Sequence, residues 1–463
     1  MTEFINREDE LERLNRLYNS NEPELAVVYG KRRIGKTALV TESVKDRGKF
    51  VYYQAVETTK KDQLEDFIET ASENYPGIKN IKRDWEAALR YLVDEDAIII
   101  IDEFPYLVDE EESLPSKIQR LWDHETEGTE AKLVLTGSSI GMIYETVLEG
   151  GAPLYGRVSQ RPNGEFSLDP FNFGDATKFF PSYSNEKKVL AYGIFGGTPK
   201  YLQTVDPDRK LEENVKETLL KTEGALQNEP ETVLRMELDE VNRYFAVLKS
   251  IAEGNRKQKR IIDSTGIPQS SAGYYLDRLE KLQIIEKEHP VTEEPRKSRN
   301  TRYKIRDNLF RFWFRFIYGQ ETRYEVYDKN PYRDLIEPKL PHFVSPVFEE
   351  LCSEATLKLH SDLTFMKKPG RWWRKGREID IVGITDSNKL LVGEAKFTSK
   401  PLGYKTLAKL EEDAKHITQK ENSFRYVLFS RSGFKKSVKE EAEQRENLYL
   451  HGIDEVVDML ENK

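Results

Sequence analysis

Two short runs hold the residue types that handle phosphate. The first is Val27-Val28-Tyr29-Gly30-Lys31-Arg32-Arg33-Ile34-Gly35-Lys36-Thr37-Ala38: an apolar run, then Gly-x-x-x-x-Gly-Lys-Thr, then an apolar helical pattern. Gly30 and Gly35 let the backbone wrap closely around a phosphate chain. The consecutive N–H groups of Lys31, Arg32, Arg33, Ile34 and Gly35, with the helix start at Thr37 and Ala38, supply a fixed positive potential. Lys36 is expected to reach the β- and γ-phosphates as a point charge, and the Thr37 hydroxyl to ligate Mg²⁺. The second run is Ala97-Ile98-Ile99-Ile100-Ile101-Asp102-Glu103. Asp102 is expected to hold the magnesium shell and Glu103 to polarise an attacking water as general base. A glycine turn with a chance lysine, or an acidic strand end in solvent, explains either run alone but not both in this order. Together they predict ATP and Mg²⁺ as cofactors, and hydrolysis.

These residues need an α/β frame. Four successive isoleucines cannot form an amphipathic strand and read as a central parallel strand buried on both faces. Its carboxylates then lie at the C-terminal edge, where open α/β sheets bind ligands. Further strands are expected at Phe50–Tyr53, at Leu133-Val134-Leu135-Thr136-Gly137-Ser138-Ser139 with its small polar exit, and near Phe166-Ser167-Leu168. Before the first of them, Phe4-Ile5-Asn6-Arg7 leads into an amphipathic helix with Asn6 as its expected N-cap. From Phe171 the pattern is helical, interrupted by Gly196-Gly197-Thr198-Pro199.

At 463 residues the chain is expected to hold two to four domains. No apolar run is long enough for a membrane span, and Met1-Thr2-Glu3-Phe4 does not read as a signal peptide. A single cysteine, Cys352, excludes an internal disulfide and a cysteine metal cluster. The expected location is cytoplasmic, without membrane partners. A net charge of −9 argues against general coating of nucleic acid. Residues 255–306, however, hold 13 Lys and Arg against 7 Asp and Glu.

That basic stretch reads as a winged helix-turn-helix. Tyr244, Val247, Leu248 and Ile251 line a first helix. Arg260 to Ile267 gives a helix and glycine turn, and Pro268 to Leu279 the second helix. Leu282, Ile284 and Ile285 open a wing that Tyr303-Lys304-Ile305 closes, with Arg296, Lys297 and Arg299 at its tip. Gln269, Ser270, Ser271 and Tyr274 can meet a major groove and the wing a phosphate, which makes DNA an expected partner. A protein-interaction module is the alternative. Asn308 to Tyr318 is aromatic on nearly every face and is expected to be a buried connector.

In the last domain, Phe343–Leu357 reads as a helix carrying Glu349 and Glu350, and Arg377–Val382 and Leu390–Phe397 as strands. Alternation puts Glu394 and Lys396 on one strand face, and a hairpin partner can bring Asp380 beside them. Asp380 and Glu394 can hold a second divalent cation, with Lys396 orienting or deprotonating water. A surface strand with paired charges is the alternative.

The spacing of Asp380, Glu394 and Lys396 resembles the PD-(D/E)xK phosphodiesterase superfamily. That resemblance implies a helix glutamate at Glu349, or else Glu350. It leaves open cleavage or an inactive binding module. The order of parts along the whole chain resembles an archaeal-type AAA+/STAND P-loop ATPase family with a C-terminal domain of uncharacterised function. The resemblance implies a base-proximal segment at Asn6 and Arg7. It implies a γ-phosphate or water sensor at Ser138, with Thr136 and Ser139 as rivals, against a simple strand-to-helix turn capped by serine. It implies a sensor or arginine finger at Arg157, or at Arg161, against an ordinary ion-paired arginine. It implies a nucleotide-proximal lid proline at Pro199, against a proline that only starts a helix. The expected domains are a P-loop core at 1–170, a helical lid at 171–238, a winged helix at 239–306, an aromatic connector at 307–340 and a nuclease-like domain at 341–463. The expected function is an ATP-driven switch acting on nucleic acid. The alternatives are an ATP-gated metal-dependent nuclease and a protein-binding signalling scaffold. A homo-oligomer or a protein partner is compatible with either.

Overall fold

Five parallel strands frame the N-terminal part of the computed structural model: β1 (Glu24–Tyr29), β2 (Val51–Gln54), β3 (Ile98–Asp102), β4 (Lys132–Gly137) and β5 (Glu165–Ser167). Their order is β2-β3-β4-β1-β5. The structure describes residues 5–161, 163–238, 240–327, 329–386, 389–417 and 423–462; Met1 to Phe4 lie outside them. The chain divides into two compact units, 1–170 and 171–463.

In the first unit β4 separates β1 from β3, pairing Val28 with Thr136 on one side and Ile101 with Leu135 on the other. Ile99, Ile100 and Ile101 are fully buried. Each such side chain contributes about 1.5–3 kcal/mol when fully buried. With neighbours on both edges and helices against both faces, every residue of β3 is driven to be apolar until its tip. The register sets Gly30, Asp102 and Gly137 at the same C-terminal edge. The helix Glu8–Tyr18 precedes β1. Asn6 is not its N-cap: Arg7 holds that place, left-handed at φ 76° and without a side-chain cap, and Asn6 is left-handed at φ 60°.

In the second unit the helices Val241–Ala252, Gln258–Thr265 and Gln269–Lys281 are followed by an antiparallel hairpin, β6 (Ile285–Glu288) and β7 (Arg302–Ile305). Gly266, at φ 68°, makes the tight turn between the last two helices, a conformation that favours glycine. The aromatic segment after β7 is buried. Phe245 of the first helix meets Trp313, Phe314 and Tyr318 edge-on, and Phe312 and Phe316 meet Phe343. These rings join the three-helix part to the helix Leu340–Leu359. Beyond it lies a second sheet, β8 (Gly370–Arg374), β9 (Arg377–Ile384), β10 (Lys389–Lys396), β11 (Ser423–Ser430) and β12 (Leu448–Gly452), ordered β12-β11-β10-β9-β8. The first three strands are antiparallel and the last three parallel.

The hairpin is fastened to this sheet. The Val291 N–H donates to the Arg371 carbonyl at 2.8 Å, and Arg302 grips Glu378 with two hydrogen bonds while lying 4.2 Å from the Trp373 ring centre. Lys304 of β7 reaches Glu350 at 2.7 Å.

Candidate functional site

The loop after β1 curls tightly because its backbone leaves the ordinary range three times, at Gly30 (φ 151°), Arg33 (φ 67°) and Gly35 (φ 94°). A Cβ on Gly30 would lie 2.7 Å from the Leu168 carbonyl oxygen, so only glycine fits. Lys36 opens the helix Lys36–Val44 and turns back over the loop, donating to the carbonyls of Gly30 at 3.0 Å and Lys31 at 3.3 Å. Arg32 donates to the Tyr106 hydroxyl at 3.3 Å, and Ile34 is fully buried beneath the loop. Thr37 and Ala38 are exposed on the first turn.

Thr37 joins this loop to β3: its hydroxyl donates to Asp102 Oδ2 at 2.7 Å. Asp102 is fully buried and also accepts from the Tyr52 hydroxyl at 2.9 Å, from the Thr136 hydroxyl, and from the Glu103 N–H at 3.1 Å. Burial and the facing Asp102 charge raise Tyr52 well above the usual phenol range, so it stays a donor. Glu103 adopts φ 56°, a strained position for a side-chain-bearing residue, which turns its carboxylate off the strand axis. Ser138, at the tip of β4, donates from its hydroxyl to both Glu103 carboxylate oxygens at 2.6 Å. Thr136 therefore supports Asp102, Ser138 supports Glu103, and Ser139 only precedes the short helix Ile140–Ile143.

The donor set fits a metal-bound phosphate chain. A glycine cradle that excludes a Cβ, an ammonium over it, and a hydroxyl–carboxylate pair at its mouth are the groups such a ligand needs. Arg7 is buried; its guanidinium donates to the Asp169 carbonyl at 2.6 Å and the Ile34 carbonyl at 3.4 Å, tying the lead-in segment to the loop. Arg157 is engaged by Asp123, with Nε to Oδ1 at 2.7 Å, and Arg161 lies beside Glu24 at 3.4 Å. Pro199 belongs to the second unit, where it opens the helix Pro199–Leu202.

A second polar cluster lies in the C-terminal sheet. Asp380 on β9 stands next to the paired Ile381 and Gly393, and Glu394 follows on β10. Lys396 Nζ lies 3.2 Å from Asp380 and 2.6 Å from Glu394. Glu349 of the helix Leu340–Leu359 pairs with Arg371 and accepts from Ser345 at 3.2 Å. Burial and then the Asp380 charge raise both Glu349 and Glu394 above the carboxylate range. Burial opposes the Lys396 ammonium, yet Asp380 and Glu394 outweigh it and raise its pKa. Glu350 points instead to Lys304. Among the described residues no group of three or more His, Cys, Asp or Glu side chains is placed to hold a metal, and no helix is long and apolar enough to cross a membrane. In this arrangement Lys396 is the cation between the two carboxylates.

Tyr52 and Arg371 were not visible as site residues in the sequence. Their partners lie 50 and 22 positions away, and nothing local marks them.

The strand order, the glycine loop at the tip of β1 and the Thr37–Asp102 contact define a P-loop ATPase fold. Residues 4–205 match a family described as an ATPase domain predominantly from Archaea, and residues 313–417 one described as archaeal and bacterial proteins of unknown function. An uncharacterized protein of Methanocaldococcus jannaschii is 36% identical over 393 residues, covering 83% of this chain and 85% of that protein. An uncharacterized ATP-binding protein of the same organism is 43% identical over 44 residues, 10% of this chain and 75% of that protein. The solved Walker-type ATPase of Pyrococcus abyssi shares the fold with a TM-score of 0.50 at 20% identity, covering 67% of this chain and 96% of that one. The chain belongs to this archaeal-type P-loop ATPase family.

Proposed function

We propose that the chain is a Mg²⁺-dependent ATPase whose nucleotide cycle drives an action on nucleic acid. The observation that carries the hydrolytic half is the Thr37–Asp102 hydrogen bond, which joins the phosphate loop to the acidic strand tip at 2.7 Å. In this reading the backbone of residues 30–36 wraps the phosphates, and Lys36 releases its carbonyl partners to neutralise the β- and γ-phosphates. Thr37 and Asp102 hold the Mg²⁺, which when bound offsets charge on the phosphate oxygens. Glu103, oriented by Ser138, takes the proton from the attacking water. The Lys36→Ala protein is expected to lose ATP hydrolysis; retention of the parent rate sinks this assignment.

The nucleic-acid half rests on the three helices and hairpin, which we read as a winged helix. Gln269, Ser270 and Tyr274 are exposed on its last helix, and Arg296, Lys297 and Arg299 at the hairpin tip. Such a face suits a groove and its phosphates. Hydrolysis rates with and without duplex DNA, single-stranded DNA and RNA test it, since a rate indifferent to all three removes this half.

A second reading, favoured by the convergence of Asp380, Glu394 and Lys396, is a metal-dependent phosphodiesterase gated by ATP. Asp380 and Glu394 would hold the cation, which supplies Lewis-acid polarisation of the phosphodiester when bound. Lys396 would then turn from the carboxylates toward the water. Equal cleavage of DNA with Mn²⁺ by the parent and by Asp380→Ala removes this reading.

A further inference from the structure

A cavity of about 330 Å³ opens in the second unit, where the end of the helix Val241–Ala252, strand β7, the aromatic segment and the first turns of the helix Leu340–Leu359 converge. That size lies at the low end of small-molecule sites, roughly 300–1,000 Å³. Its cations are Arg256, Lys304, Arg311, Arg315 and Lys339. Arg256 is matched by Glu288, and Lys304 by Glu286 and Glu350. Arg311, Arg315 and Lys339 have no carboxylate within ion-pair reach among the described residues. Glu253 is a further lining anion, so these five cations face four carboxylates and one positive charge is left in excess.

Arg311 is the least satisfied of them. One of its terminal nitrogens donates to the Phe343 carbonyl at 3.1 Å, and the guanidinium lies 4.4 Å from the Phe343 ring centre. Its Nε is buried and finds no acceptor among the described residues. Burial lowers this guanidinium to about 10, and the Glu350 charge only partly offsets it. An anion in the cavity corrects both the missing acceptor and the missing charge. Arginine forks favour phosphate geometry, and a phosphate monoester carries close to two negative charges near neutral pH. Tyr303, Phe343 and Pro346 give the remaining wall an apolar character that suits an organic body rather than bare phosphate.

We propose that this cavity binds an organic phosphate monoester, with its phosphate on Arg311, Arg315 and Lys339 and its body against Tyr303 and Phe343. The same chemistry occurs in a free sugar phosphate and at the 5′-phosphorylated end of a nucleic-acid strand. Calorimetric titration of the full chain, in a Lys36→Ala background that disables the phosphate loop, separates them. One arm compares ribose 5-phosphate with ribose; the other compares an oligonucleotide bearing a 5′-phosphate with its 5′-hydroxyl form. Binding that depends on the phosphate in either arm, and that weakens at least tenfold in the double variant Arg315→Gln, Lys339→Gln, supports the proposal and names the source. Both substituted residues are exposed, so the fold is kept. No preference for the phosphorylated probe in either arm, or affinity unchanged in the double variant, overturns it.

Discussion

Ser138 and Glu103 are locked together: one hydroxyl serves both carboxylate oxygens at 2.6 Å, and the Ser138 N–H adds a third hydrogen bond at 3.1 Å. The contact bridges β3 and β4, and it aims a carboxylate whose own backbone is strained. Loss of a general base costs about 10²–10⁴ in rate, and Glu103→Gln is expected in that range. Ser138→Ala leaves the carboxylate present but unaimed, so kcat is expected to fall about tenfold. Because neither side chain carries the phosphates, KM for ATP is expected to stay within about twofold in both. A Ser138→Ala protein whose KM rises while kcat holds would assign the serine to nucleotide binding instead.

Gly30 tests the cradle separately from the chemistry. Its φ of 151° and the 2.7 Å approach of the Leu168 carbonyl leave no room for a methyl group, whereas a Cβ on Gly48 meets nothing within 4 Å. Gly30→Ala is expected to destabilise the first unit by about 2 kcal/mol and to abolish ATP binding, through strain and backbone clash together. Gly48→Ala is expected to match the parent in both. Thermal melting and equilibrium nucleotide binding of the two variants decide the point.

His360 gives the second unit a pH signature. It is buried beside His451 and Arg425, and burial, followed by those neighbours, lowers its pKa to about 4. The unfolded side chain takes up a proton near pH 6.5 while the folded one resists it. Stability is therefore full above that pH and is lost as pH falls toward 4. The shift corresponds to roughly 3 kcal/mol at most. Calorimetric melts at pH 7 and pH 5 should show a smaller fall in midpoint for His360→Gln than for the parent. Parallel falls would remove His360 as the source.

The carboxylate cluster predicts a cation response. Burial first and then Asp380 raise Glu349 and Glu394, so a divalent ion that takes the place of Lys396 would favour their charged forms. A ligand at about 100 times its Kd stabilises by roughly 2.7 kcal/mol. Mn²⁺ is expected to raise the melting temperature of the second unit in the parent but not in Asp380→Asn. Equal shifts would place the ion elsewhere.

The loop and strand of the nucleotide site were legible because each is a local pattern. Gly30 to Thr37 states its own geometry, and four isoleucines before Asp102 can only be an interior strand. The same pattern assigns Thr37 and Asp102 to one cation, whereas their direct hydrogen bond is read from the structure alone. What stayed hidden depends on strand order. Tyr52 reaches Asp102 because β2 lies beside β3, and Ser138 supports Glu103 because β4 does so on the other edge. Neither adjacency is written in a window of ten residues. Asn6 has the residue type of a cap, but Arg7 holds that place, and its guanidinium holds the loop. Adjacent glutamates at 349 and 350 could not be told apart by spacing, since one helical step turns them to different partners, Arg371 and Lys304.

The clasp of Val291 on Arg371 and of Arg302 on Glu378 makes the hairpin and the C-terminal sheet a single lever. The helix bearing Gln269 and Tyr274 leads into that hairpin, and the strands bearing Asp380 and Lys396 belong to that sheet. Among the described residues the hairpin is held against β8 and β9 at more than one point, so a displacement of either is resisted by the other.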